Sequence, residues 1–256
     1  MRKLVLTSLA AVFAVSAAQA ANVINDNPLY RPDQGKFYSM TELSSNTNKT
    51  TLVNLGEKFG YGITDRLAVG LEMTMAENNW FDQSQWGTLG IGVNYRLLDM
   101  ANWKADVYGS YGVNPVWDYG ESFMDENSTW YKWNVGMRAG YMTETWTIAG
   151  HVEFDYVNSE SFNWDKDGIH SISLGADAFF ALNDSWAMVL GAEYTGKLDD
   201  EANNDGIWEG KLGANYNIDD NKFVGAYVSK FMAHTGAGQW TIADGFGFGA
   251  KFGIQF

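Results

Sequence analysis

The last twelve residues, GFGFGAKFGIQF, alternate with period two. Phe246, Phe248, Ala250, Phe252, Ile254 and Phe256 share one parity; Gly245, Gly247, Gly249, Lys251, Gly253 and Gln255 share the other. Successive side chains of a strand point to opposite faces, so this segment as a strand is apolar on one face and small or polar on the other. A soluble sheet seldom carries its apolar face to the final residue of a chain. What that face meets is decided by how often the pattern recurs.

It recurs along the whole chain. WTIAGHVEFDYV sets Trp146, Ile148, Val152, Phe154 and Tyr156 against His151, Glu153 and Asp155, and WAMVLGAEYTGK sets Trp186, Met188, Leu190 and Tyr194 against Glu193, Thr195 and Lys197. A helix needs apolar residues at i, i+3, i+4 and i+7, which these segments lack. Strands are predicted at 36–46, 51–64, 67–77, 86–97, 103–114, 129–142, 146–157, 169–182, 186–198, 206–218, 222–233 and 241–256. Most are long enough for tilted membrane strands of ~9–11 residues. The prolines, Pro28, Pro32 and Pro115, all fall outside them, as unbroken ladders require.

The connections alternate in kind. Every second gap is tight (64–66, 98–102, 143–145, 183–185 and 219–221), and the others are mostly longer and more polar. Short turns at one end, longer loops at the other and an even strand number predict an all-β, 12-stranded antiparallel up-and-down transmembrane β-barrel over 36–256. Leu67, Trp103, Trp146, Trp186 and Phe223 each open the strand after a tight turn, 36 to 43 residues apart. A propeller blade has a similar period but needs four strands in that length. Two long ones fit here, so these residues are expected to form one interfacial aromatic girdle, with Trp80, Trp86, Tyr131, Trp208 and Trp240 forming the other.

The front of the chain supplies the compartment. Arg2 and Lys3 precede an apolar run ending in Ala18-Gln19-Ala20, the layout of a cleaved secretory leader over 1–20. Residues 21–35 then form a periplasmic N-terminal segment that either hangs free or enters the lumen. Loss of two positive charges with the leader takes the formal charge from −14 to −16, which argues against a nucleic-acid partner. With no cysteine, neither a disulfide framework nor a lipid anchor on a thiol is available.

A C-terminal aromatic preceded by alternating apolar residues, here Phe246, Phe248, Phe252, Ile254 and Phe256, resembles the assembly signal of Gram-negative outer-membrane β-barrels of the porin-like superfamily. The leader and the hairpin order carry the resemblance over the whole mature chain. It implies that Phe252, Ile254 and Phe256 are read by the barrel-assembly machinery, and that the barrel sits in outer-membrane lipid beside lipopolysaccharide. One residue departs from the pattern: the apolar parity of LVNLGEKFGYGI puts Glu57 on the lipid side, and a bulge or shifted boundary is expected there.

Function is sought on the inward parity. It collects the basic residues Lys58, Arg96, Lys104, Lys132, Arg138, Lys197, Lys211 and Lys251. The acidic ones are Glu72, Asp106, Glu153, Asp155, Asp177, Glu193 and Glu209, with His151 among them. Such groups need water or each other. They are expected to act as pore-lining selectivity elements of a narrow passive channel for small polar or ionic solutes. A salt-bridged filling is the alternative, because twelve strands lie between packed eight-stranded barrels and open porins. No catalytic, cofactor or metal site is predicted. Outer-membrane lipid hydrolases pair a His with a Ser two residues on, whereas His151, His170 and His234 are followed at that spacing by Glu153, Ile172 and Gly236. An Asp/His-type site at His151, Glu153 and Asp155 is the one remaining enzymatic reading. Segments 115–127, 158–167 and 198–206 hold eleven acidic residues against Lys166, suggesting an alternative adhesive or cation-binding role.

Overall fold

The computed structural model describes residues 27–47, 52–78, 83–113, 130–159, 168–198, 206–235, 239–242 and 245–256. Every element among them is a strand: β1 Phe37–Asn46, β2 Leu52–Gly62, β3 Leu67–Asn78, β4 Gln83–Asp99, β5 Trp103–Val113, β6 Trp130–Met142, β7 Trp146–Ser159, β8 Ile169–Ala181, β9 Trp186–Lys197, β10 Ile207–Asp219, β11 Lys222–Thr235, β12 Gln239–Ile242 and β13 Gly247–Gln255. Sequential neighbours pair antiparallel from β1 to β11, β13 pairs with β11, and β13 closes the ring on β1. At the closure Phe37 and Phe256 exchange backbone hydrogen bonds of 2.8 and 3.0 Å. The ring therefore has twelve members, as the alternation predicted.

The twelfth crossing is split. Between Ser229 and Met232 of β11 lie two residues, while between their partners Gly247 and Ile242 lie four. The two extra residues break the ladder into β12 and β13, with Gly245 taking φ 79°. Lys230, on the outer face, bonds the Gly245 carbonyl at 2.6 Å and lies over the Phe246 ring at 4.3 Å.

The two faces divide as the parity requires. Along β13 the odd-numbered residues from Gly247 to Gln255 are buried, while Phe248, Phe252 and Phe256 lie on the exposed face. The same outward exposure holds for Leu71, Ile91, Val135, Leu174 and Leu212 on other strands. A water-soluble protein places such residues inside; this ring places them outside and buries charge, which is stable only with hydrocarbon around it.

Four tight turns share one chemical device. Thr64 Oγ1 accepts from the amides of Arg66 and Leu67, Thr143 Oγ1 from Thr145 and Trp146, and Asn183 Oδ1 from Ser185 and Trp186, at 2.9 to 3.3 Å. Asp219 Oδ1 accepts from Asn221 at 2.8 Å. Short polar side chains that bond the backbone two or three residues on fold these turns locally.

Rings cluster near both ends. Trp103 meets Tyr141 at 5.3 Å, Tyr141 meets Trp146 at 5.2 Å, and Trp186 meets Tyr216 at 5.1 Å near the tight turns. Tyr131, Trp133, Phe154, Tyr156 and His170 form a continuous group towards the other end, where Tyr194 also meets Trp208. Two expectations need correction. Phe223 is not in the girdle: it is 1 % exposed and turns inward with Tyr38 and Met40. Glu57 does face outward, yet without a bulge: Thr41↔Glu57 and Glu57↔Met73 sit in unbroken registers. Its carboxylate accepts from Ser39 Oγ at 2.6 Å and Thr41 Oγ1 at 2.5 Å. The outward polarity of β1 thus accommodates it. The expected girdle position Trp80 and most of the three acidic segments lie outside the described residues, as do the side chains of Trp86 and Trp240.

Candidate functional site in the barrel lumen

All sixteen ionisable positions predicted on the inward parity lie on the inward rows. Lys58, Arg96, Asp106, Arg138, His151, Glu153, Asp155 and Lys251 are buried; Glu72, Lys104, Lys132, Asp177, Glu193, Lys197, Glu209 and Lys211 are partly buried. Parity alone could not tell which of them meet, because meeting depends on register. The ladders align Arg96 with Asp106, Asp106 with Arg138, and Arg138 with His151, one row across β4, β5, β6 and β7 that alternates in sign as far as Arg138 and then sets two basic side chains next to each other. Arg96 Nε bonds Asp106 Oδ1, and its Nη2 reaches Asp106 Oδ2 at 3.3 Å. Lys104 pairs with Asp99 at the rim. Lys58 and Glu72 are direct partners on β2 and β3, 3.8 Å apart.

Acidic residues concentrate on β7–β10, which carry Glu153, Asp155, Asp177, Glu193 and Glu209. His151 stands among them, with Nδ1 3.3 Å from Asp177 Oδ2 and Nε2 3.1 Å from Glu193 Oε2. Glu153 is fully buried and accepts from Asn134 Nδ2 at 3.3 Å. Thr195 Oγ1 donates to Glu193 Oε1 at 3.3 Å and meets Ser173 Oγ at 2.8 Å. The imidazole is therefore held between two carboxylates from neighbouring strands, and its own-strand neighbours Glu153 and Asp155 are not its partners in these contacts.

Sequence reading missed Glu42. It faces inward on β1, opposite Lys251, whose Nζ is 3.8 Å from Glu42 Oε2, and it accepts from Tyr227 Oη at 2.6 Å. Lys211 Nζ lies over the same Tyr227 ring at 3.9 Å. The signal was obscured because β1 alternates weakly: Tyr38, Met40, Glu42 and Ser44 face in, while Phe37, Ser39, Thr41 and Leu43 face out. Where an aromatic is directed inward, an opposing glycine makes room; a Cβ on Gly249 would stand 2.5 Å from the Tyr227 ring. The space between Lys58, Glu72, Thr88, Asn94, Tyr108 and Lys132 is correspondingly small, about 40 Å³, room for a few waters.

Residues before β1 also reach the lumen. Leu29 is 1 % exposed; Arg96 Nη2 donates to its carbonyl at 2.6 Å, and Arg138 Nη1 donates to the Pro28 carbonyl at 2.9 Å. Tyr30 packs against Tyr38, Met40 and Phe223, and its hydroxyl donates to Gln255 Oε1. Gly35 N donates to the Gly62 carbonyl at 2.8 Å.

No protein-family profile matches the sequence, and no curated protein does. Solved structures do match the fold. The KdgM porin, solved with disordered oligogalacturonate, superposes with a TM-score of 0.56 at 9% identity over 86% of this chain and 99% of that one. The NanC porin gives 0.56 at 10% identity over 85% and 98%, and an outer membrane channel from Pseudomonas putida F1 gives 0.54 at 15% over 88% and 96%. This chain has the outer-membrane β-barrel fold. In that fold the short turns mark the periplasmic end. Both Tyr30 and the pair Arg96 and Arg138 lie towards the short-turn mouth of this ring, since Arg96 precedes the turn at 100–102 and Gln255 ends β13.

Proposed function

We propose that the protein is a narrow outer-membrane channel passing small polar or ionic solutes passively, with the inward charges as its selectivity elements. The observation that carries this reading is the grouping of Glu153, Asp155, Asp177, Glu193 and Glu209 on four adjacent strands around His151. Like charges held together in a low-dielectric wall need water or mobile counter-ions, which a hydrated lumen supplies. The porin-type neighbours are consistent with it. On this reading residues 1–20 are removed on export, Phe252, Ile254 and Phe256 are read by the assembly machinery, and lipopolysaccharide borders the outer aromatic belt.

Purified mature protein in a planar bilayer tests the proposal. Discrete conductance steps are expected, and under a potassium chloride gradient Glu193→Gln with Glu209→Gln should shift the reversal potential towards anion preference. A barrel that stays electrically silent both with and without residues 27–33 would remove the reading. Hydrolysis is the weaker alternative: His151 meets the hydroxyls of Thr195 and Ser173 only through Glu193, so base and nucleophile do not touch. Lipid or peptide cleavage abolished by His151→Ala would favour it.

A further inference from the structure

We infer that residues 27–35 form a displaceable plug that closes the periplasmic mouth; this rests on the channel reading above. The first ground is reach. The segment touches β4 through Arg96, β6 through Arg138, β13 through Gln255, β2 through Gly62, and β1 and β11 through Tyr38, Met40 and Phe223. In a ring of twelve, β6 and β11 stand five places apart on one side and seven on the other, so the segment bridges the lumen nearly across its diameter.

The second ground is complementarity. Phe223, Tyr38 and Met40 make an apolar spot in a lumen otherwise rich in polar and charged groups, at the place where the Tyr30 ring lies. Without the segment that spot would face water and the two guanidiniums would lose these carbonyl contacts. Pro28 and Leu29 offer only neutral backbone oxygens to Arg96 and Arg138. A guanidinium bonds a carboxylate or phosphate oxygen more strongly than a carbonyl, so an anionic group entering the mouth competes for the same donors. The attachment is therefore held firmly enough to order the segment, yet open to replacement.

The third ground is the rim. Gly35 adopts φ 78°, a conformation that glycine takes without strain, and redirects the chain between segment and β1. Gly62, at the end of β2, lies so close beneath the segment that a Cβ there would stand 2.1 Å from the Asp33 carbonyl oxygen. Gly62→Ala is thus a wedge that lifts the segment without altering a lumen charge.

Two readouts test this. The chain contains no cysteine, so Leu29→Cys provides a single reporter. In folded protein its reaction with a water-soluble maleimide should be at least about tenfold slower than that of Asp184→Cys in an exposed turn, because reaction waits on opening. Adding Gly62→Ala should recover most of that difference. In planar bilayers, Gly62→Ala and deletion of 27–33 should both raise single-channel conductance or open probability over the unaltered protein. Equal labelling of Leu29→Cys and Asp184→Cys would overturn the plug. So would conductance that is identical with and without the segment, which would leave the channel reading standing. Protected Leu29→Cys in a barrel silent in every form would instead overturn the channel reading and, with it, any gating role. Detergent-resistant migration of each variant on unheated gels establishes that the barrel has formed.

Discussion

Glu57 lies midway along β2 on the lipid-facing side, where a carboxylate is costly, and two hydroxyls from β1 donate to it. Removing a donor leaves charge unsatisfied, whereas removing the whole group does not. Thr41→Val should accordingly lower stability by about 1–3 kcal/mol, and Ser39→Ala/Thr41→Val/Glu57→Leu should recover it, as read by urea unfolding in lipid. Tyr30 gives a second residue-scale expectation. Burial, and next the charge of Asp33, push its phenol up from 10.0 to about 12. The seated segment thus holds the phenolic proton more tightly than the released one. Its contribution is complete below pH 10 and fades as pH climbs towards 12. The phenolate absorbance lost in Tyr30→Phe should titrate near 12 in the intact protein and near 10 in Gly62→Ala; a value near 10 in both would contradict the seating.

At the scale of elements, the hairpins are set by local chemistry. Thr143 Oγ1 accepts from two amides of its own turn and donates to the Trp146 carbonyl at 2.9 Å, and Thr143→Val removes all three bonds while keeping the side chain's shape. A loss of about 1 kcal/mol in unfolding free energy is expected, with no change in conductance. Most turns and strand limits were legible because they are written in nearest-neighbour terms: alternation, a Thr, Asn or Asp at four of the tight turns, and proline kept outside; the break that divides the closing segment 241–256 between β12 and β13 was not. β1 was the least legible element. Its hydroxyls face lipid and its aromatic and methionine face inward, so hydrophobicity and orientation disagree there. That disagreement hid Glu42, and the same inward apolar spot misdirected the assignment of Phe223. Both follow from contacts with elements distant in sequence: Lys251 and Tyr227 for Glu42, and Tyr30 for Phe223.

For the molecule as a whole, the decisive property is inversion of polarity across a closed wall. The cost of an outward charge should therefore depend on depth. Val135→Arg, near the middle of β6, is expected to cost about 2–4 kcal/mol, and Trp103→Arg, at the end of β5, about 0–1 kcal/mol, by equilibrium unfolding in bilayers of matched thickness. Equal costs at both positions would mean that the apolar belt is not spanned by hydrocarbon. The same closure turns parity into a lumen, and register turns that lumen into a specific arrangement of charge: a basic–acidic–basic row across β4–β6 and a carboxylate group on β7–β10.

The sequence by itself determined the strands, their antiparallel order, the face on which nearly every side chain lies and the apolar exterior, since each depends on a period of two or on a turn a few residues long. Only the tertiary structure decided which inward charges meet, that Glu57 keeps its place through hydroxyls on another strand, and that the residues before β1 cross the mouth. Those outcomes depend on how far each strand slides against its neighbour before the ring closes. That sliding is fixed by the summed fit of twelve ladders, and no single segment encodes it.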